Sequence, residues 1–163
     1  MKKLLFIAVI AIAAYFAYSH YQQGEGAVTA EITTPVFAEY RVTAHIAGRD
    51  IEMALFGKMA SNDDCHQRAD IVWTKVLNNC KECTSSNFQC RDALEPRYLK
   101  LFDDIPIHST YISFQHGSPF ERDGRMVTYG LTSDEGDKLC EIMKPMFKEK
   151  YTGNVQCING IRD

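Results

Sequence analysis

The 163-residue chain carries 18 Lys and Arg against 21 Asp and Glu, a formal net charge of −3. With Lys2 and Lys3 set aside as part of the leader they open, 16 basic residues face 21 acidic ones, a net charge of −5. That balance argues against a nucleic-acid-binding surface, which needs a basic patch, and provides no polybasic clamp for an anionic bilayer beyond Lys2 and Lys3.

Residues 1–21, MKKLLFIAVIAIAAYFAYSHY, place two lysines before an uncharged apolar run over 4–18. This is the layout of an export signal. Two readings stand. Ala17-Tyr18-Ser19 offers small residues at the −3 and −1 positions of a cleavage after Ser19, which would leave the domain secreted or periplasmic. Against cleavage, Tyr15, Phe16, Tyr18 and Tyr21 gather at the far end of the segment, as in an interfacial aromatic belt. The preferred reading is a retained signal-anchor that contacts the membrane through residues 4–21. It is then a single-pass inner-membrane protein with its N-terminus cytoplasmic and its domain periplasmic. Residues 22–35, with Gly24, Gly26, Thr33, Thr34 and Pro35, read as a linker in which 28–32 has the composition of an edge strand. Even fully extended, a linker of about a dozen residues keeps the domain within about 50 Å of the bilayer.

Residues 36–163 have the length of one domain. From Val36 to Ile46 alternate residues fall on two faces, Val36, Ala38, Tyr40, Val42, Ala44 and Ile46 against Phe37, Glu39, Arg41, Thr43 and His45. With Gly48 at the first central position of a type II′ turn, Ile46 is expected to face Ile51, and His45 to face Glu52. Ser61 and Asp64 suit the start of a helix running to about Asn79. Cys65, Ala69, Val72, Val76 and Cys80 share its inner face, and Trp73 borders that stripe as a core or rim anchor. The stretch from Cys80 to Cys90 reads as polar and turn-rich. Pro96 opens a short helix through Phe102 that ends before Pro106. Residues 108–116 and 125–131 read as paired strands, and Asp123-Gly124 supplies a turn signal. Thr132 and Glu135 form a capping box for a helix with Leu139, Ile142, Met143, Met146 and Phe147 inward, which Pro145 should kink or end near Lys144. Residues 155–158 suit a last strand. The expected fold is α+β, a two-layer sandwich of mainly antiparallel strands and two main helices in the order ββα–loop–ββαβ. Two successive strand–strand–helix units suggest a pseudo-repeat without residue-level identity.

Six cysteines in an exported chain imply disulfides. Cys65 and Cys80 sit about 22 Å apart along one helix at about 1.5 Å per residue, too far for a bridge. Cys90 can return to Cys65, and a strand through Cys157 can lie beside the helix that carries Cys140. The preferred set is Cys65–Cys90, Cys80–Cys83 and Cys140–Cys157. A long-range set, with Cys65 joined to the second helix and Cys80 or Cys83 to Cys90, stays open.

Cys80-Lys81-Glu82-Cys83 is the one motif with an enzymatic namesake. It follows a helix, however, where the dipole disfavours a thiolate, so a structural bridge is preferred to a redox pair. His66 with Asp63 and Asp64, and His108 with Asp103 and Asp104, lack metal-ligand spacing and read as solvated caps and loops. His116-Gly117-Ser118 lacks the glycines of a nucleophile elbow. No catalytic residue, metal or cofactor is implied. The candidate binding loop is 115–125, with His116, Phe120, Arg122 and Arg125 on a connection between strands. The expected function is a non-catalytic, membrane-anchored extracytoplasmic interaction domain for a protein or an envelope component. The alternatives are a thiol–disulfide oxidoreductase using Cys80 and Cys83, and a small exported hydrolase built from scattered His and Asp residues.

Overall fold

The computed structural model describes residues 32–75, 81, 83–118 and 121–162, with only the backbone of Trp73 and Lys75. The leader, most of the linker, the expected helix end over 76–79, Cys80 and Phe120 therefore lie outside the described residues. No helix among the described residues is long and apolar enough to cross a membrane.

The first hairpin pairs β1 (Val36–Ile46) with β2 (Arg49–Met59) in antiparallel register. Its loop is two residues, Ala47 and Gly48, both at positive φ (51° and 79°), a type I′ turn whose twist matches that of the flanking strands. The type II′ turn expected from Gly48 is thus not formed. Because Ala47 takes the left-handed conformation, Arg49 already belongs to β2 and faces Ile46, and Ile51 faces Ala44. The register differs by two residues from the expected one. Two residues is one side-chain period, so every residue keeps its expected face. His45 faces Asp50 rather than Glu52, with Nδ1 2.8 Å from the carboxylate.

Helix α1 (Asn62–Lys75) starts where the Ser61 hydroxyl accepts the Asp64 N–H at 3.1 Å, while the Asp64 carboxylate accepts the Ala60 N–H at 2.9 Å. Cys65, Ala69 and Val72 are buried, as their spacing requires. The stretch after it contains a strand, β3 (Cys83–Arg91), instead of a turn-rich excursion. Short polar residues disguise it, but Phe88 and Cys90 pack toward the core while Asn87, Gln89 and Arg91 face away. The chain then forms α2 (Pro96–Leu99), with Pro96 in the first turn, continued by a 3-10 turn over Lys100–Asp103. Strands β4 (Tyr111–Gln115) and β5 (Gly124–Tyr129) are shorter than their sequence patterns. Helix α3 (Ser133–Lys148) carries the expected capping box at Thr132 and Glu135. It does not stop near Lys144: Pro145 lies inside it, and burial of Met143 and Phe147 on either side holds the last turn. Ile142 turns outward and is 45% exposed, so the inner stripe is Cys140, Met143 and Phe147. Strand β6 (Asn154–Ile158) closes the chain.

The six strands form one sheet in the order β3-β1-β2-β5-β4-β6, all pairs antiparallel. This order is a duplication of topology. Each half is strand, strand, helix, strand, with the third strand beside the first, and the halves meet through β2 and β5. Ala38 lies between Cys90 and Gly57 as Ile112 lies between Cys157 and Met126. Continuing across the centre, the matching positions Phe56 and Arg125 face each other, so a pseudo-twofold axis passes between them. Both main helices cover one face, where Tyr40, Cys65, Val72, Phe114, Met143, Phe147 and Tyr151 form a core. The other face is not bare, as a two-layer sandwich would leave it. Leu94, Tyr98, Leu101 and Phe102 from the link between the halves pack there on Phe37, Ala54, Phe56, Tyr111 and Val127.

Each helix is stapled to the third strand of its own half, Cys65 to Cys90 (Cα atoms 6.1 Å apart) and Cys140 to Cys157 (5.9 Å). Cys83 is also disulfide-bonded; the expected Cys80–Cys83 bridge involves a residue outside those described. Loops closed over 25 and 17 residues each contribute about 3 kcal/mol by loss of chain entropy. Excess reductant should therefore lower the melting temperature by at least about 10 °C, measured by circular dichroism; an unchanged transition would contradict this.

Candidate functional site

The face opposite the two main helices carries the site, and one side chain fixes its shape. Arg125 is 1% exposed. Its Nε donates to the Leu101 carbonyl at 2.7 Å, one Nη to the Phe114 and Gly124 carbonyls at 3.1 and 2.8 Å, and the other to the Phe102 carbonyl at 3.1 Å. That last nitrogen also lies 3.1 Å from the Asp104 carboxylate. Burial pushes the Arg125 pKa down, and the Asp104 charge opposes the shift. Asp104, at positive φ (54°), ends the 3-10 turn and accepts from Ser113 Oγ (2.9 Å), Gln115 Nε2 (2.6 Å) and Gln156 Nε2 (2.7 Å). The linking segment is thus clamped to β4, β5 and β6. Phe102 lies under the Arg125 guanidinium and Tyr98 stacks on Phe56, centroids 4.6 Å apart.

This cover lies over the dyad and leaves a cleft beside it, between the covering segment, β1–β3 and Tyr129 of β5. A cavity of about 420 Å³ is lined by Arg41, Glu52, Arg97, Tyr98, Lys100, Ile107, His108, Ser109 and Tyr129. A second, of about 260 Å³, shares Arg41, Arg97 and Tyr98 and continues past Glu39, Asn87, Gln89, Arg91 and Glu95. At their junction the Arg41 and Arg97 guanidiniums lie 5.0 and 4.6 Å from the Tyr98 ring centroid. Arg41 donates to Glu39 at 2.7 Å and to Glu52, and Arg97 pairs with Glu95 at 2.8 Å. Burial would lower the Arg41 pKa, but bonds to Glu39, Tyr98 and Glu52 raise it. Burial, and then the neighbouring Tyr98, raise that of Tyr129, which keeps its hydroxyl as a donor. The larger cavity falls in the range of small-ligand pockets, about 300–1,000 Å³. Among the described residues no group of three or more His, Cys, Asp or Glu is placed to hold a metal.

Comparison with protein-family models, characterised proteins and solved structures finds no match for this chain. The functional reading therefore rests on geometry.

The loop singled out from the sequence is bound down. Arg125 is the buried clamp just described, not a surface residue, because it belongs to β5 and points into the interior. Arg122 donates to Asp64 at 2.8 Å and to the Glu121 carbonyl at 3.0 Å, tying the loop to the start of α1. Glu121 is itself buried, its carboxylate accepting the Ser118 and Thr152 N–H groups at 2.7 and 2.9 Å and the Thr152 hydroxyl. Gly117 donates to Tyr151 Oη at 3.1 Å. At Gly153 a Cβ would fall 2.2 Å from the Gln115 carbonyl, so the two loops touch through backbone. His116 is exposed at positive φ (55°) with its N–H on Asp123; Phe120 lies outside the described residues. The residues missed from the sequence are the cleft walls. Glu39 and Arg41 were legible on the polar face of β1, but nothing local says that a short helix from the middle of the chain settles beside them.

Asp64 binds Arg68 and Arg122 at 2.7 and 2.8 Å. Burial favours its neutral form, but Arg122, Arg68 and the Ala60 N–H outweigh it and hold its pKa below the ordinary value. A depressed carboxylate pKa stabilises the fold above the unfolded value, and that stability is lost as pH falls through the folded one. The Glu135 pKa, lowered to about 2 by Arg49 and the Thr132 cap, adds loss in the same direction. Urea midpoints should hold near neutrality and fall from about pH 4 downward. Asp64→Asn should lower the midpoint at pH 7 and flatten the acid limb; a parallel, unflattened limb would show that Asp64 is not responsible.

Proposed function

We propose that this protein is a membrane-anchored extracytoplasmic interaction domain that engages a partner protein through the cleft beside Tyr98. The observation that carries this reading is the convergence of Arg41, Arg97, Tyr98 and Tyr129 on a six-stranded sheet. Arginine and tyrosine supply most of the energy at protein interfaces when they are held in place before the partner arrives. Here Glu39, Glu52 and Glu95 hold the guanidiniums and Phe56 holds Tyr98. The bridges at Cys65–Cys90 and Cys140–Cys157 support an oxidising compartment, and the apolar run over 4–18 supports delivery to it. The oxidoreductase alternative gains nothing from the geometry, since Cys83 opens a strand at the sheet edge rather than the first turn of a helix, where a thiolate is favoured.

Chemical crosslinking of the full-length protein in its native membrane tests the reading. Wild type and Glu141→Lys, on the exposed side of α3, should capture the same partner. Arg97→Glu, with an unchanged melting temperature, should reduce capture at least about tenfold, the equivalent of 1.4 kcal/mol. Equal capture by all three, or no specific partner in any, would contradict it.

A further inference from the structure

The charged groups that line the two cavities point to a ligand class; the inference rests on the reading of the cleft as an interaction site. In the larger cavity Arg41, Arg97 and Lys100 meet one carboxylate, Glu52, which Arg41 already holds. Glu95 takes Arg97 from outside that cavity, while among the described residues Lys100 joins no ion pair. His108, Ser109 and Tyr129 also line this cavity. With Arg41 held by Glu39 and Glu52 and Arg97 by Glu95, Lys100 is the cation of this cavity left without a carboxylate among the described residues. The smaller cavity, whose charged lining is Glu39 and Glu95 with Arg41, Arg91 and Arg97, adds the Asn87 and Gln89 amides, which suit the alternating donors and acceptors of a peptide backbone. Arg41, Arg97 and Tyr98 line both cavities, so the two adjoin as neighbouring parts of one trough.

We propose that this trough binds an extended peptide whose carboxylate, from an acidic side chain or a C-terminus, sits against Lys100 and Arg97. The rest of the peptide crosses Tyr98 toward Asn87 and Gln89. A carboxylate at Lys100 gains a partner without breaking an existing pair.

Fluorescence anisotropy with the full-length protein in detergent tests this using three labelled pentapeptides, Gly-Ser-Glu-Glu-Ala with an amidated end, Gly-Ser-Gln-Gln-Ala amidated, and Gly-Ser-Gln-Gln-Ala with a free C-terminus. Binding of the first or third at least about tenfold tighter than the second, lost in Lys100→Glu and kept in Lys100→Arg, is the expected result. The first binding alone assigns an acidic side chain; the third alone assigns a C-terminus. Equal binding of all three, no binding of any, or indifference to Lys100→Glu would overturn the proposal. If Arg97→Glu abolishes partner capture while the peptides fail in these ways, the cleft survives as an interaction site and only the acidic-peptide assignment falls.

Discussion

The buried Arg125 guanidinium is the constraint on which the rest depends. A charge at this depth is tolerated only when it is paired and hydrogen-bonded, and its partners are the carbonyls of Leu101, Phe102, Phe114 and Gly124 with the Asp104 carboxylate. Two of those carbonyls and the carboxylate belong to the link between the halves. The arginine therefore ties the covering segment to the sheet, and the position of Tyr98, Arg97 and Lys100 follows from that tie. Breaking a buried pair by removing one partner costs about 3–5 kcal/mol, enough to matter to a domain of ordinary stability, about 5–15 kcal/mol.

The duplicated topology explains why a cleft exists at all. A sheet with two equivalent halves should present two equivalent faces, yet at the dyad the matching positions are Phe56 and Arg125. One offers a ring, the other a charge that must be satisfied. The link answers both, with Tyr98 on Phe56 and Phe102 on Arg125. The cover leaves the polar face of β1 and β3 open beside the dyad, and the cleft lies there, closed on its other side by Tyr129 and residues 107–109. On the other face symmetry is kept, with a disulfide from helix to third strand in each half.

Much of the fold was legible because it is written in local pattern. The alternation from Val36 to Ile46, the Thr132 capping box, the Pro96 helix start and the reach of Cys90 back to Cys65 each follow from spacing. What failed did so for physical reasons. Ala47 in the left-handed conformation moved the hairpin register, since an alanine gives little warning of positive φ. Strand β3 was hidden because Thr84, Ser85 and Ser86 are turn formers in isolation and strand residues when paired to β1; the alternation of Asn87, Phe88, Gln89 and Cys90 was the available signal. The site was the least legible part. Arg125 sits in a sequence that reads as an exposed loop end, and only the tertiary arrangement shows that its donors are consumed. The cleft joins β1, β2, β3, β5 and residues 95–109, which no single stretch of sequence encodes.

The central claim, that Arg125 clamps the covering segment and so builds the cleft, is tested most directly by amide hydrogen exchange in wild type and Arg125→Met. The account predicts that the amides of Tyr98, Leu99, Asp104 and Ile105, bonded within the segment, lose their protection while those of the β1–β2 hairpin keep it. Undiminished protection of the segment in Arg125→Met, with the hairpin equally unchanged, would contradict the account.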